Sequence, residues 1–410
     1  MRDRKRGTVR DLRRENRAAI LWSLSLSQPR SRHELSASTG LSAASVTNVI
    51  RELIDEGIVI ETGLVESDGG RPRTMLGMNP EYGYLVGVDI GETRTRVGLF
   101  DLTMTERARA EYPLDAAASR DVDVIVGQVV SGLHAVLADG GIGPDAVLGV
   151  GIGAPGIIEQ GPEVLVHGQT YGWDGVPLMR LLHAHTGLPL RFDNGAKTMG
   201  QAELWFGAGR GARNAVVVLI GSGVGASLIA DGTTYRGATS SAAEFGHVTV
   251  EVGGRMCRCG STGCLEAYAG AEAILERYGR PMAEPDRGAG DQEAALAELI
   301  DAAGTSPRAA AALEEVARYL GAGIGTLINL FNPERVIIGG WAGLLLGARL
   351  LPEITESARR HSLHHPFAAT SIELGQLGPG AVALGAATLA LESFLNGTDG
   401  TGSVSDHRCS

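Results

Sequence analysis

The chain of 410 residues is 44% apolar, only 5% aromatic, and carries a formal net charge of −11. This length predicts two or three domains with buried cores. No apolar run reaches the roughly 18–20 residues needed to cross a bilayer, and the basic N-terminus lacks the apolar core of a signal peptide. We therefore expect a cytoplasmic protein with reduced thiols and no membrane partner.

Charge is distributed unequally along the sequence. Residues 1–80 contain 13 Lys and Arg against 10 Asp and Glu, and the first 17 residues contain eight basic and three acidic ones. The remainder contains 23 basic and 37 acidic residues. A basic head on an acidic body indicates that the head meets a polyanion and the body does not. From charge alone, a solvated basic tail is the alternative.

Three helices are predicted near the N-terminus. An arginine-rich arm from Arg2 to Arg17 continues into a first helix that ends at Leu26. Ser31 and Glu34 have the spacing of a capping box, which starts a short second helix. Ser42 caps a third helix, in which apolar residues recur at the helical period.

A β-hairpin, with strands at 58–60 and 74–78 and a turn at 68–70, is predicted after these helices. Together they make a winged helix-turn-helix, whose third helix enters the major groove of DNA while the wing reaches the minor groove. Short polar groups on the helix and a flat cationic wing tip suit those grooves. The predicted DNA-binding residues are Arg32, Ser42, Ala43, Ala44, Ser45, Thr47, Asn48, Arg51, Gly70, Arg71, Pro72 and Arg73. A helical hairpin that binds a protein is the alternative.

Two glycine turns in the body follow predicted strands. One is Asp89-Ile90-Gly91-Glu92-Thr93 and the other is Gly221-Ser222-Gly223. In such turns backbone N–H groups and a hydroxyl face a phosphate, so we take Asp89, Gly91, Thr93, Gly221 and Gly223 as phosphate-loop positions. One turn in each half of the body predicts a duplicated actin-like (ribonuclease-H-like) α/β fold, with a ligand cleft between two lobes.

A cluster of cysteines follows the second turn. Cys257, Cys259 and Cys264 lie within eight positions, and His247 lies ten residues before the first of them. Three thiolates and an imidazole suit a tetrahedral zinc ion, and the glycines between the cysteines permit the sharp turn that brings them together. Four protein ligands leave no open position, so a structural role is expected. Reduced structural thiols are the alternative.

The segment from Glu244 to His247, together with Cys257 to Glu266, resembles the signature of the ROK family (repressors, open reading frames and sugar kinases). The head is also similar to that of ROK repressors, in its Thr-Gly-Leu-Ser turn and Gly-Arg-Pro wing, whereas ROK kinases lack this domain. The resemblance implies that His247 and the cysteines bind zinc. The sugar-binding residues predicted on this basis are Gly156, through its backbone, and Asp193, Glu244, His247 and Glu266.

The kinase motifs are altered. ROK kinases use an aspartate in an Asn-Asp-x-Asn element as general base, and the resemblance places Asp193 there, with Phe192 and Gly195 at the asparagine positions. A phenyl ring cannot form a hydrogen bond with a sugar hydroxyl. A buried hydroxyl left without a partner costs roughly 1–3 kcal/mol of binding free energy. Glu92 stands where the family has a glycine beside the ATP phosphates, and its carboxylate adds repulsion. ATP is therefore not expected as a cofactor.

The resemblance covers roughly residues 16–395. We predict a winged helix-turn-helix with a basic arm (1–80), a sugar-binding body (81–395) and a disordered tail (396–410). The predicted function is repression of carbohydrate uptake or catabolism genes, with release from double-stranded operator DNA by a sugar or sugar phosphate, in a homodimer or homotetramer. The alternatives are an ATP-dependent sugar kinase with an appended DNA-binding head and a purely architectural DNA-binding protein.

Overall fold

The computed structural model describes residues 9–67, 70–114, 121–279 and 290–397. Its helices are α1 (Val9–Leu26), α2 (Arg32–Thr39), α3 (Ala43–Asp55), α4 (Val122–Gly140), α5 (Leu178–His183), α6 (Gly195–Phe206), α7 (Glu266–Ala269), α8 (Ala271–Tyr278), α9 (Gly290–Ala302), α10 (Pro307–Phe331), α11 (Trp341–His361), α12 (His364–Ala368) and α13 (Ala381–Leu395).

Its strands are β1 (Arg30–Ser31), β2 (Val59–Ser67), β3 (Gly70–Met78), β4 (Tyr84–Ile90), β5 (Arg94–Asp101), β6 (Glu106–Pro113), β7 (Val147–Ala154), β8 (Ile157–Glu159), β9 (Leu165–Gly168), β10 (Trp173–Val176), β11 (Leu190–Asn194), β12 (Ala215–Ile220), β13 (Val224–Ala230), β14 (Thr233–Thr234), β15 (Arg335–Gly339) and β16 (Ser371–Leu374).

The head combines α1, α2 and α3 with a sheet in the order β1-β3-β2. The predicted capping box is present, because Ser31 Oγ accepts from the Glu34 N–H and the Glu34 carboxylate accepts from the Ser31 N–H at 2.7 Å. Ser42 caps α3, as predicted, by accepting the Ser45 N–H at 3.1 Å. Gly40 ends α2 in the left-handed region, at φ 70°, where glycine pays no steric penalty.

Two boundaries in the head differ from the prediction. The hairpin is longer than expected, because pairing continues from Val59 opposite Met78 to Ser67 opposite Gly70. Helix α1 begins as early as Val9, inside the segment assigned to the basic arm. Residues 1–8 of that arm and residues 68–69 of the predicted turn lie outside the described residues.

The body contains two five-stranded sheets with the same topology. The first has the order β11-β7-β4-β5-β6 and the second β14-β13-β12-β15-β16. In each, an antiparallel meander is extended on its other side by two parallel strands. This repeated order agrees with the predicted duplication of an α/β unit.

Helices α6 and α13 pack against one another between the two sheets, α13 on β4 and β7 and α6 on β12 and β13. The approach is close enough to require glycine. A Cβ on Gly87 would lie 1.9 Å from the Ala383 carbonyl oxygen, and one on Gly151 would lie 1.7 Å from that of Ala386. Both positions therefore fix how α13 lies on the first sheet.

Two helical segments, Val122–Gly140 and Gly378–Leu395, are long and apolar enough to cross a bilayer, although no such run was expected from the sequence. The first is α4, which buries Ile125, Val129 and Leu133 in the core of the first lobe. The second contains α13, the helix between the two sheets. Both are accounted for as core helices of the body.

The head and the body share one hydrophobic core. Trp22 of α1 meets Trp205 of α6 edge-on, with 5.0 Å between ring centroids. The Trp22 Nε1–H donates to Asn396 Oδ1 at 3.0 Å. Asn396 was predicted to open a disordered tail, but it instead anchors the head. Residues 398–410, including Cys409, lie outside the described part of the chain.

Candidate ligand cleft and metal centre

A cavity of about 520 Å³ lies between the two lobes of the body. Its volume is within the range of pockets that hold small molecules. The predicted phosphate-loop residues all line it, and so do four of the five predicted sugar-binding residues, Gly156, Glu244, His247 and Glu266. The two turns therefore meet at one site, although they lie far apart in the sequence.

The predicted metal ligands come together at one wall of this cavity. The ligand atoms of His247, Cys257, Cys259 and Cys264 all lie within 4.8 Å of one another. Cys257 Sγ is 3.7 Å from His247 Nδ1, and Cys259 Sγ is 3.7 Å from Cys264 Sγ. Ligands about 2.0–2.3 Å from a tetrahedral zinc ion are separated by similar distances. The donor set and its spacing therefore fit zinc.

The glycines of the metal loop, by which we mean residues 257–264, have the backbone role that the sequence predicted. Gly260 has φ 88° and Gly263 has φ 76°, both in the left-handed region. A Cβ on Gly263 would also lie 1.7 Å from the Glu251 carbonyl oxygen. These two turns bring Cys259 and Cys264 to the same side of the loop.

Acceptor groups surround the metal loop on the cavity side. Glu266 is buried, and its Oε2 accepts the Val224 N–H at 3.0 Å. Its other oxygen lies 3.9 Å from Cys257 Sγ. Burial raises the pKa of Glu244, and the electrostatic interactions of its carboxylate with His247 and Lys197 oppose this shift. Carboxylates and an imidazole at one wall are suited to accept hydrogen bonds from ligand hydroxyls.

Arg258 connects this wall to the opposite lobe. Its Nη1 lies 2.8 Å from Glu92 Oε2 in the first lobe and 2.6 Å from Glu272 Oε2 in the second, and Glu266 accepts a third contact at 3.3 Å. Glu92 was interpreted from the sequence only as a source of repulsion toward phosphates. It is also the partner of an arginine held between two cysteines of the candidate metal site.

Two further arginines line the first lobe. Arg94 pairs with Glu293 of the second lobe at 3.0 Å and with Glu111 at 3.5 Å. Arg96 also pairs with Glu111, at 2.8 Å, and donates to the Pro379 carbonyl. Arg94 therefore adds a second ion pair across the cleft.

Asp193 does not stand where the resemblance suggested. It is buried and forms an ion pair with Arg236, and it is not one of the described residues that line the cavity. The next two residues, Asn194 and Gly195, do line it. Asn194 Nδ2 donates to the Gly156 carbonyl at 2.7 Å, and its Oδ1 caps α6. Phe192 is buried in the first core.

Two polar residues, one in the cleft wall and one beside it, gave no sequence signal. His167 lies between Asp174 at 3.0 Å and Glu159 at 3.1 Å, and these hydrogen bonds raise the pKa of its imidazole. Lys197 is buried, and its ammonium donates to the Ser240 carbonyl. Both residues depend on partners in distant segments, which residue spacing does not reveal.

The predicted DNA-binding residues on α3 form one exposed face. Ser42, Ala43, Ala44, Thr47, Asn48 and Arg51 are exposed, and Ser45 is half-buried. Val46, Val49, Ile50 and Leu53 occupy the opposite, buried face. At the wing, Pro72 and Arg73 are exposed, whereas the side chains of Gly70 and Arg71 lie outside the described part.

Several arginines of the head are already paired within it. Arg13 lies 2.8 Å from Glu52, and Arg17 lies 2.5 Å from Glu56, which joins α1 to α3. Arg32 lies 3.7 Å from Glu61. Part of the positive charge that suggested a polyanion partner therefore stabilises the head itself.

Comparison with known proteins places these features in a family context. A model of the ROK family matches residues 85–393. The xylose repressor of Caldicellulosiruptor bescii is 30% identical over 394 residues, covering 94% of this chain and 97% of the relative. A ROK family transcriptional regulator, a homologue of the E. coli MLC protein, has a TM-score of 0.75 at 25% identity and covers 94% of this chain and 97% of its own. A ROK family glucokinase from Streptomyces griseus, in complex with glucose and AMPPNP, has a TM-score of 0.65 at 29% identity and covers 76% of this chain and 100% of its own.

Proposed function

The chain belongs to the ROK family, and we propose that it is a sugar-responsive transcriptional repressor of carbohydrate genes. One observation carries this proposal. The similarity to a xylose repressor extends over 94% of the chain, whereas the similarity to a complete glucokinase extends over only 76%. The additional part includes the head, because the family model begins at residue 85. Genes of xylose use are the first candidates for its targets.

The head is proposed to be a winged helix-turn-helix that binds operator DNA. Support comes from α3, which buries one apolar face and exposes Thr47, Asn48 and Arg51 on the other. Short polar side chains allow a helix to enter the major groove closely, and an arginine binds guanine or phosphate. The wing between β2 and β3, with Arg73 exposed near its tip, extends beside that helix and suits the minor groove.

The cleft is proposed to bind the sugar effector beside a structural zinc ion. The four ligand atoms within 4.8 Å support the metal, and the glutamates and histidine of the adjacent wall support the sugar. When bound, zinc would hold the loop that carries His247 and Glu266 in one conformation. His247 would then serve both sites.

Sugar phosphorylation is not proposed, because Asp193, the residue matched to the family's general base, is not among the described residues that line the cleft. In a second register, Asn194-Gly195-Ala196-Lys197, the chain keeps only the first asparagine of the kinase pattern Asn-Asp-x-Asn, and Asn194 and Gly195 line the cavity. In this register glycine occupies the base position, which supplies no carboxylate to take the proton of the sugar hydroxyl. Asp193, ion-paired with Arg236, is not free for that role.

Two helices are proposed to carry the signal from the cleft to the head. Helix α6 begins at Gly195 in the cavity wall and ends beside Trp205, which packs on Trp22 of the head. Helix α13 begins next to the wall residue Val382 and is followed by Asn396, which binds Trp22. A sugar that favours one closure of the lobes would therefore shift the base of the head and lower its affinity for DNA.

The assembly and location follow from the same proposal. A repressor with one helix-turn-helix per chain binds paired half-sites as a dimer, so we propose a homodimer or homotetramer. Operator DNA is intracellular in bacteria, which agrees with a cytoplasmic location and reduced, metal-binding thiols.

The substitution Arg51→Ala tests the DNA-binding function, because Arg51 lies on the exposed face of α3. We expect it to weaken binding to DNA from upstream of the protein's neighbouring genes by about tenfold, as for the loss of one good base or phosphate contact. Fluorescence anisotropy measures that affinity. Arg349→Ala, at an exposed position of α11, is the matched control and should have no effect.

A coupled assay with ATP and a panel of pentoses and hexoses separates the repressor from a kinase. We expect no turnover above background. Phosphorylation at ordinary kinase rates, about 1–100 per second, would establish the kinase alternative.

Equal DNA affinity of the Arg51→Ala variant and the native protein would contradict the assignment of α3 as the helix that binds DNA.

A further inference from the structure

Among the described residues, the three arginines that line the cleft are all engaged by carboxylates. Arg258 contacts three glutamates, one of which, Glu92, belongs to the opposite lobe. Arg94 and Arg96 share Glu111 at 3.5 and 2.8 Å. A phosphate entering the cleft would have to displace a protein carboxylate from any of these guanidinium groups.

Three backbone donors of the two glycine turns are engaged as well. The Gly221 N–H donates to the Gly223 carbonyl at 2.9 Å, and the Gly91 N–H donates to a carbonyl of its own turn at 3.0 Å. The Val224 N–H donates to the Glu266 carboxylate at 3.0 Å. A phosphate-binding turn works by presenting such N–H groups to the anion. In this chain these three are used within the protein.

Burial already disfavours negative charge on two carboxyl groups of the cleft. Burial raises the pKa of Asp89 to about 6, although Arg96 and Arg94 oppose the shift. Burial also raises the pKa of Glu92 despite the adjacent Arg258. A dianionic phosphate placed among these groups would add repulsion, whereas a neutral ligand would not.

We propose that the cleft binds an uncharged sugar and excludes sugar phosphates and nucleotides, and that Glu92 and Arg258 determine this choice. The inference rests on the proposed sensing function and narrows its effector class. Glu92 supplies Arg258 with a partner from across the cleft, so the charge that would attract a phosphate is neutralised within the protein. The hydroxyls of a neutral sugar donate to the carboxylates of Glu244 and Glu266 without breaking that pair.

Calorimetric titration of the full-length, zinc-loaded protein tests the proposal. The probes are D-xylose, D-glucose, D-glucose 6-phosphate and magnesium AMPPNP, at one salt concentration. We expect a neutral sugar to bind and AMPPNP to give no heat. The phosphate ester should bind with an affinity at least about tenfold lower than that of its parent sugar, a difference of 1.4 kcal/mol in binding free energy.

The results separate this inference from the function on which it rests. Glucose 6-phosphate that binds as tightly as glucose and releases the protein from DNA would overturn the inference and leave the repressor function intact. An absence of binding by every probe, together with DNA affinity that none of them alters, would overturn both.

The variant Glu92→Gln tests the residues named. Without this carboxylate the Arg258 guanidinium is less neutralised, so we expect glucose 6-phosphate to gain about tenfold in affinity relative to glucose. Glu356→Gln is the matched control, because it removes one glutamate from an exposed ion pair with Arg359, away from the cavity. Glu92→Gly, which restores the family glycine, provides a second test if the first variant folds poorly. If both Glu92 variants keep the native ratio of glucose affinity to glucose 6-phosphate affinity, the assignment of this selectivity to Glu92 and Arg258 is overturned.

Discussion

At the scale of single residues, the metal cluster and the ligand wall are joined. His247 belongs to both, since its Nδ1 faces Cys257 Sγ and it also lines the cavity. Arg258 lies between two cluster cysteines and reaches Glu92 on the other lobe. A change in the metal loop is therefore transmitted to the ligand wall and to the lobe contact through neighbouring residues.

Replacing one cluster thiolate tests this connection. Cys259→Ser should reduce the zinc content, measured by mass spectrometry, from about one ion per chain to near zero, because one of four ligands is lost. The same variant should lose its thermal stabilisation by sugar, since the loop that carries His247 is no longer held. Cys409→Ser, in the C-terminal tail, should retain both properties. A full zinc complement in Cys259→Ser would show that the ligand set is different.

Residue spacing predicted the His and Cys cluster that could hold a metal ion, but not the lobe contact. The cysteines and His247 lie close in the sequence, so their chemistry could be predicted from spacing. Glu92 lies 166 positions from Arg258, and their pairing depends on how the lobes close. The resemblance likewise placed Asp193 at the position of the kinase base, and residue spacing did not indicate its tertiary surroundings. Only the burial of Asp193 beside Arg236 separates it from the cleft residues Asn194 and Gly195.

At the scale of elements, α6 and α13 extend from the cleft to the head. Their mutual contact is close, since a Cβ on Gly385 would lie 1.8 Å from the Thr198 carbonyl oxygen. The buried Glu203 carboxylate of α6 accepts the N–H groups of Gln376 and Leu377, just before α13. The two helices are therefore expected to move as one unit.

The contact of these helices with α1 is open to a direct test. Trp22→Leu removes both the edge-on ring contact with Trp205 and the hydrogen bond to Asn396. We expect sugar affinity and DNA affinity, measured separately, to change less than about threefold, while the effect of sugar on DNA affinity falls by about 1–2 kcal/mol.

A matched variant isolates the hydrogen bond. Asn396→Ala removes only the hydrogen bond to Trp22. It should reduce the effect of sugar on DNA affinity by a smaller amount than Trp22→Leu does. Coupling as strong in Trp22→Leu as in the native protein would place the signal on another route.

The elements of the head were predictable because their signals are local. The Ser31 and Ser42 caps, the Gly40 turn and the apolar period of α3 each depend on residues within one or two turns of helix. The extent of the hairpin and the role of Asn396 were missed. The role of Asn396 depends on Trp22, a partner distant in the sequence. The hairpin continues beyond the predicted strands to Ser67 opposite Gly70.

At the scale of the whole molecule, the head is attached to a two-lobed body whose closure, we propose, is set by the ligand. Ion pairs from Arg258 to Glu92 and from Arg94 to Glu293 join the lobes across the cleft. The hydrophobic core shared by head and body makes the head follow the body. Composition and turn spacing predicted this division into head and body, but the contacts that couple the parts are tertiary and left no sequence pattern.

The effect of a neutral sugar on DNA affinity tests the central claim most directly. Fluorescence anisotropy would follow the zinc-loaded protein on DNA from upstream of its neighbouring genes, at modest salt, with and without saturating D-xylose or D-glucose. We predict tight binding without sugar and an affinity about 5–150-fold lower with the effective sugar. A dissociation constant that no neutral sugar changes, or an absence of binding to double-stranded DNA, would contradict the account.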